Sequence, residues 1–194
     1  MSQFAANLSK RHLDVVNHIC YYLMGTADYK LVYGDVPEGL IAYADADWAG
    51  AKTRRSNTGN IIFIGGAAVS WNSRAQKTVA LSSTEAEYMA LSDTCRQLVW
   101  IRNLFAEMKI QLTALPLCRD NQGAIFITSN AVQEQRTKHI DIRYHYIREV
   151  VEDGKVKLYF VKSADNYADI FTKNLDRVKY LKCRSTLGIL FARL

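Results

Sequence analysis

The sequence predicts an α/β fold in which a mixed sheet carries helices on its faces. Three observations predict it. Three short apolar runs between residues 38 and 71 are separated by turn-forming segments, as in an antiparallel meander. Beyond them, apolar stretches of strand length, at 115–119 and 156–161, alternate with segments of helical periodicity. Nearly half of the 194 residues (49%) are apolar, enough to bury a core of one domain with an appendage.

Along the chain, Leu13, Val16, Ile19, Cys20 and Leu23 recur at three- and four-residue steps and predict a helix over 9–24, with Ser9 to cap it and Gly25 to end it. Tyr29 to Val32 reads as a short strand. The first strand of the meander covers 38–46, and Ala49 to Asn57 is a small, polar and basic loop. Asn60 to Ile64 and Ala67 to Trp71 are the next two strands, joined by the hairpin signal Gly65-Gly66. Arg74 and Lys77 fall in a polar stretch, and Ser82 and Glu85 have capping-box spacing at the head of a long helix with Leu91, Leu98, Ile101 and Phe105 on one stripe. After the 115–119 strand, helices are expected over 124–129 and 139–152. Asp165-Asn166 is placed to cap a helix carrying Asp169, and 176–194 reads as an amphipathic basic helix.

Composition narrows the function classes. No apolar run approaches the ~20 residues that span a bilayer, so no membrane partner is expected. The first residues lack a basic segment ahead of an apolar one, and Cys20, Cys95, Cys118 and Cys183 are far apart. Small buried thiols in a reducing compartment, cytoplasmic or nuclear, are the expectation. The net charge of +6 suits a phosphate-bearing partner.

The chemistry concentrates in acids at the ends of elements. Leu40 to Ala44 is an apolar run that stops at Asp45, with Asp47 two residues on. Two carboxylates this close share a proton, bind a cation or run out into solvent. Glu87 lies four residues before Leu91, on the same helical face, whereas Glu85 is accounted for by the cap. The alternative for Glu87 is a solvent-facing position on the first helical turn. Asp120 ends the 115–119 strand and would also serve as an N-cap. If these ends converge, with Asp169 joining from the last helix, the four carboxylates repel one another unless hard divalent cations compensate them. That pattern, beside basic loops, points to metal-assisted phosphodiester hydrolysis.

The motifs carry a resemblance. Tyr43-Ala44-Asp45-Ala46-Asp47-Trp48-Ala49-Gly50, Arg55-Ser56-Asn57-Thr58-Gly59, and Val79 through Tyr88 resemble the ribonuclease H domain of Ty1/copia-type retrotransposon polyproteins. So do Asp120 through Ile125, Lys138 through His145, and Ala168-Asp169-Ile170-Phe171-Thr172-Lys173. The resemblance implies a ribonuclease H-like fold with a five-stranded mixed sheet and helices on both faces. It implies an N-terminal helical extension over 1–35, similar to the end of the reverse transcriptase connection, ahead of a ribonuclease H domain over 36–194. It also implies an endonuclease that cuts the RNA strand of RNA–DNA hybrids with two Mg²⁺ or Mn²⁺ ions held by Asp45, Glu87, Asp120 and Asp169, and a reverse transcriptase as partner. Asp47 is the alternative to Asp45.

Ser83, Thr84, Asn121 and Gln122 are candidates to touch ribose or groove edges, against helix capping for Ser83 and Thr84. Arg55 and Arg74, with Lys52, Arg54 and Lys77, are candidates for backbone phosphates. Trp48 is a candidate for a DNA-strand groove, whereas Trp71 is expected in the core. The segment Lys162 to Asn166 has no histidine where many ribonucleases H carry a histidine loop. His139 and His145 are expected to serve a helix start or packing. Two other classes compete: a degenerate nucleic-acid- or polymerase-binding scaffold, which would have lost an acid, and an integrase-like DNA nuclease, which would end on a helical Glu.

Overall fold

The computed structural model describes residues 4–34, 39–48, 50, 54–121 and 138–191, with 138–140 described by backbone alone. The five-stranded sheet has the order β4-β3-β2-β5-β6, where β2 is Ile41–Asp47, β3 Asn57–Ile64, β4 Ala67–Ala75, β5 Leu115–Arg119 and β6 Val156–Phe160. The first three strands are antiparallel, and β5 and β6 run parallel to β2. Gly65 and Gly66 turn the β3–β4 hairpin at φ 61° and 77°, the left-handed region where glycine costs least.

Strand alternation sorts side chains onto two faces. On one face Ala42, Ala44, Ile62 and Leu117 pack under α2 (Ser83–Glu107) and α3 (Lys138–Glu152), which contribute Leu91, Leu98, Ile147 and Val150. The small alanines of β2 let α2 approach closely. Ser82 caps α2 by accepting the Glu85 N–H at 3.1 Å, and the Glu85 carboxylate reaches back to the Leu81 N–H at 2.6 Å. The opposite face holds Ile41, Tyr43, Ile61 and Phe63, covered by a 3-10 segment, Tyr167–Phe171, on which α4 (Arg177–Thr186) packs, and by Leu187 and Ile189 beyond that helix.

Several expectations are corrected. Asp169 lies on the 3-10 segment, because Asn166 caps only five residues before Thr172. The last helix stops at Thr186, and Ile189–Phe191 forms β7, antiparallel to β1 (Tyr29–Leu31). Gly188, at φ 82°, makes that break. The strand β4 runs on to Ala75, so Arg74 lies in a strand: an edge strand keeps pairing while its outward residues are polar. Trp71 is 58% exposed, since only short segments cover its side of this edge strand. Cys20 is exposed, whereas Cys95, Cys118 and Cys183 are buried. The N-terminal helix α1 (Lys10–Gly25) buries none of its residues, so its apolar stripe is uncovered among the described residues. The helix expected over 124–129 lies outside the described residues. No helix among the described residues is long and apolar enough to cross a membrane.

Candidate active site

The strand ends bring the acids together. The parallel register pairs Ala42 with Leu117 and Tyr43 with Cys118. Continued two residues, it sets Asp45 beside Asp120 at the rim of the sheet. Asp45 shares a face with Ile41 and Tyr43, and Glu87 arrives from α2 on the other face, so the acids meet across the end of the strands. Asp45, Glu87 and Asp120 each offer a carboxylate oxygen within 4.8 Å of the other two. They line an open hollow of about 440 Å³ together with Asn121, Phe160 and Lys173.

Each acid has its own support. The Asp45 carboxylate is 1% exposed and accepts a short hydrogen bond from Thr172 Oγ1 and an ion pair from Lys173 Nζ at 3.1 Å. Burial raises its pKa, opposed by Thr172 and Lys173 and reinforced by Asp169. Burial pushes Glu87 up to about 8; Arg119 pulls against that shift, while Asp45 and Asp120 add to it. Arg119 is fully buried and donates to Glu87 at 3.3 Å, and among the described residues its Nε and Nη1 have no hydrogen-bond partner. Asp120 accepts from Ser163 Oγ and from Asn166 Nδ2 at 3.3 Å, and the same Asn166 amide donates to the Ala44 carbonyl at 3.2 Å.

Asp169 stands outside the group of three. It is 2% exposed and paired with Lys173 at 2.8 Å and Lys179 at 2.5 Å. Lys173 therefore bridges Asp45 and Asp169. Burial works against this ammonium, but Asp169 and Asp45 outweigh it and hold its pKa above the usual lysine range. Gly59 allows the arrangement: a Cβ there would lie 2.6 Å from Thr172 Cγ2 and 2.9 Å from the Ala168 carbonyl. Only a glycine on β3 lets the segment carrying Asp169 and Thr172 lie this close.

The remaining candidates are placed as follows. Asp47 is half-buried, lies against Gly50 and is not one of the three acids that converge. Ser83 is exposed and Thr84 half-buried at the start of α2, and Asn121 lines the hollow. Gln122 and Lys52 lie outside the described residues. Arg54, Arg55 and Lys77 are exposed, and Arg74 pairs with Asp93 at 2.5 Å. Trp48 is 51% exposed and donates to the Ala80 carbonyl at 3.2 Å. His139 lies in the first turn of α3, and His145 pairs with Asp141 at 3.3 Å on its surface. Sequence reading missed Arg119, Ser163, Asn166, Thr172, Lys173 and Lys179. Only Thr172 and Lys173 carried a local signal, three and four residues after Asp169.

The donor set fits a hard divalent ion. Three carboxylates are oxygen donors of the kind Mg²⁺ and Mn²⁺ take. Two oxygens on one Mg²⁺, each at ~2.1 Å, are at most ~4.2 Å apart, so small side-chain adjustments close the set. The raised pKa values of Asp45 and Glu87 mark charge that a cation would relieve.

No family model matches the chain. It is 38% identical over 190 residues to the "Retrovirus-related Pol polyprotein from transposon TNT 1-94" of Nicotiana tabacum, covering 97% of this chain and 14% of that protein. It is 38% identical over 193 residues to the corresponding polyprotein of transposon RE1 of Arabidopsis thaliana, covering 97% and 13%. The chain thus spans about one seventh of the curated relatives it matches. Among solved structures it is similar to LC11-RNase H1, isolated from compost, with a TM-score of 0.53 and 14% identity over 69% of this chain and 92% of that one. The same protein in complex with an RNA/DNA hybrid gives a TM-score of 0.51 at 16% identity, over 69% and 93%. Fold and sequence agree: over 97% of its length the chain is similar to a segment of Ty1/copia-type retrotransposon Pol polyproteins, and its fold is ribonuclease H-like.

Proposed function

We propose that the chain is a divalent-metal-dependent ribonuclease H that hydrolyses the RNA strand of an RNA–DNA hybrid. The observation that carries this reading is the convergence of Asp45, Glu87 and Asp120 within 4.8 Å at the end of the sheet. These three side chains would hold the ions, with Asp169 behind Lys173 as the fourth acid. When bound, a pair of divalent ions supplies an activated attacking water and neutralises the leaving oxygen of an in-line displacement.

The chain's own residues fix the acids for that work. Asn166 ties Asp120 to the backbone of β2, so the strand that carries Asp45 also sets the position of Asp120. Thr172 and Lys173 orient Asp45, and buried Arg119 holds Glu87 over the strand end. The hollow is open, as a duplex substrate requires. Asn121 on its rim, with Ser83 and Thr84 at the head of α2, would meet the minor groove, where an A-form-like hybrid displays 2′-hydroxyls. A hydroxyl at that point is what separates RNA from DNA. The similarity to a ribonuclease H1 solved with an RNA/DNA hybrid supports the substrate, and the Pol relatives support a reverse transcriptase as neighbour.

The test incubates the protein with end-labelled RNA–DNA hybrid, duplex RNA and duplex DNA, in Mg²⁺ or in EDTA. The expected result is Mg²⁺-dependent loss of the RNA strand of the hybrid alone. Asp120→Asn, which keeps both partners' geometry, should abolish cutting and keep the unfolding midpoint within a few degrees. Normal cutting by this variant would overturn the site assignment. A degenerate scaffold would bind the hybrid and leave it intact.

A further inference from the structure

The N-terminal helix α1 spans 16 residues and buries none of them. A helix of this length is marginal in water, and helices in proteins owe most of their stability to a covered apolar face. The helix is held at its C-terminal end: β1 follows it and pairs with β7, and Arg184 donates to the Tyr29 hydroxyl at 3.2 Å. Tyr22 meets Tyr180 of α4 edge to face, with ring centroids 6.2 Å apart. The apolar face is therefore presented on a fixed arm.

Part of that face points away from the body. At ~100° per residue, Leu13, Val16, Cys20 and Leu23 fall within about 80° of one another, and Tyr22 lies about 140° from their centre. Leu13 is 59% exposed, Leu23 60%, and Met24 beside them 75%. Single exposed apolar residues are ordinary, whereas a continuous stripe marks an interaction surface.

The spacing of this seam selects its occupant. The steps from Leu13 to Val16, to Cys20 and to Leu23 are three, four and three residues, the a/d rhythm of paired helices. The series reads the same in both directions. A second copy laid antiparallel, with a two-fold axis at residue 18, sets Leu13 against Leu23 and Val16 against Cys20 of the other copy. Every contact is then repeated by symmetry, as an isologous interface requires.

Charge sets the direction. The first turn of α1 carries Lys10, Arg11 and His12 and no acid, the wrong sign for the positive end of its own dipole. An antiparallel copy brings its C-terminal end, with Asp28 just beyond Gly25, alongside Lys10 and Arg11. A parallel copy would set these cations against their own equivalents.

We propose that α1 is a docking surface for a second copy of this chain, with the Leu13–Val16–Cys20–Leu23 seam paired antiparallel on itself. The strip is about 24 Å long and about 10 Å wide, well short of the ~800 Å² per partner of a standard interface. The dimer is accordingly weak and exchanging, with a dissociation constant on the order of 10–100 µM.

The test is sedimentation equilibrium of the full chain in reducing buffer, from about 1 to about 200 µM. The average mass should climb from the 22.0 kDa of one chain toward twice that value. Leu13→Glu/Leu23→Glu, at two positions exposed in the single chain, should remain monomeric over the same range with an unchanged unfolding midpoint. A single-chain mass for wild type throughout, as when another protein is the natural cover of α1, would overturn the proposal. So would a dimer that the double variant retains. Oxidation of the thiols tests the register without relying on that variant. Cys95, Cys118 and Cys183 are buried, so Cys20 is the reactive thiol. In the antiparallel seam the two Cys20 residues are offset by four residues, about 6 Å along the axis, which takes their Cα atoms past the ~7 Å that a disulfide spans. Val16→Cys instead faces Cys20 of the second copy and should crosslink to a disulfide dimer far faster than wild type. Wild type crosslinking as fast as Val16→Cys would overturn the antiparallel seam.

Discussion

The burial of Glu87 makes the metal-free protein less stable as pH rises, and replacing it with glutamine should remove that dependence. Below pH 4.5 the carboxyl is protonated both in the folded and in the unfolded chain. Between 4.5 and about 8 the folded protein keeps the proton that the unfolded chain has released, so each step up in pH favours unfolding. Above that window both states are ionised and the effect levels off. The full span corresponds to roughly 5 kcal/mol at ~1.4 kcal/mol per pH unit. Between pH 5 and pH 7 it comes to about 2.5 kcal/mol, or about 5–10 °C in midpoint for a chain of this size. The assay is calorimetric or urea unfolding in EDTA at pH 5, 6, 7 and 8, for wild type and Glu87→Gln. Across the window the folded carboxyl is already neutral, so the neutral amide changes little of the charge that faces buried Arg119 and does not itself titrate. Wild type should lose stability relative to Glu87→Gln across the window, while Asp45, raised by burial in both proteins, tilts the two curves alike. Parallel curves would refute the claim that a buried, cation-seeking carboxylate sits here.

Other perturbations address the same frame. Lys173→Gln strips a counter-ion from two carboxylates that are 1% and 2% exposed. It should lower metal-free stability by about 2–3 kcal/mol and, with the competing ammonium gone, tighten Mn²⁺ binding in calorimetric titration by about tenfold; unchanged Mn²⁺ affinity would show that Lys173 does not contend for the site. Gly59→Ala places a methyl group 2.6 Å from Thr172 Cγ2. Overpacking of this kind costs about 1–3 kcal/mol, and the displaced 3-10 segment should reduce kcat on the hybrid more than it changes KM. Wild-type stability and turnover in Gly59→Ala would contradict the close packing of that segment on β3.

Local patterns carried the sheet and the acids. The run from Leu40 to Asp45, the Gly65-Gly66 turn and the Ser82–Glu85 cap each depend on neighbours within a few residues, so periodicity and turn chemistry sufficed. Glu87 was legible because its helical face, shared with Leu91, had no other reason to carry a carboxylate. The support of those acids was not legible. Arg119 reads as the last residue of a strand, and only the packed α2 shows that its guanidinium is buried against Glu87. Asn166 reads as a cap, and its reach to the Ala44 carbonyl and to Asp120 depends on contacts 122 and 46 residues away along the chain. The β1–β7 pairing joins residues near opposite ends, beyond any local pattern, so Ile189–Phe191 read as the tail of a helix. Trp71 misled because aromatic residues in strands normally face a core, while β4 is an edge with a thinly covered face.

The most direct test of the acid hollow as a two-metal site is a crystal of the protein with RNA–DNA hybrid, soaked in Mn²⁺ and measured for anomalous scattering. Two manganese peaks ~3.5–4 Å apart, in contact with Asp45, Glu87 and Asp120 and with Lys173 withdrawn from Asp45, are predicted. Manganese absent from this hollow, or bound elsewhere while the hybrid is being cut, would contradict the account.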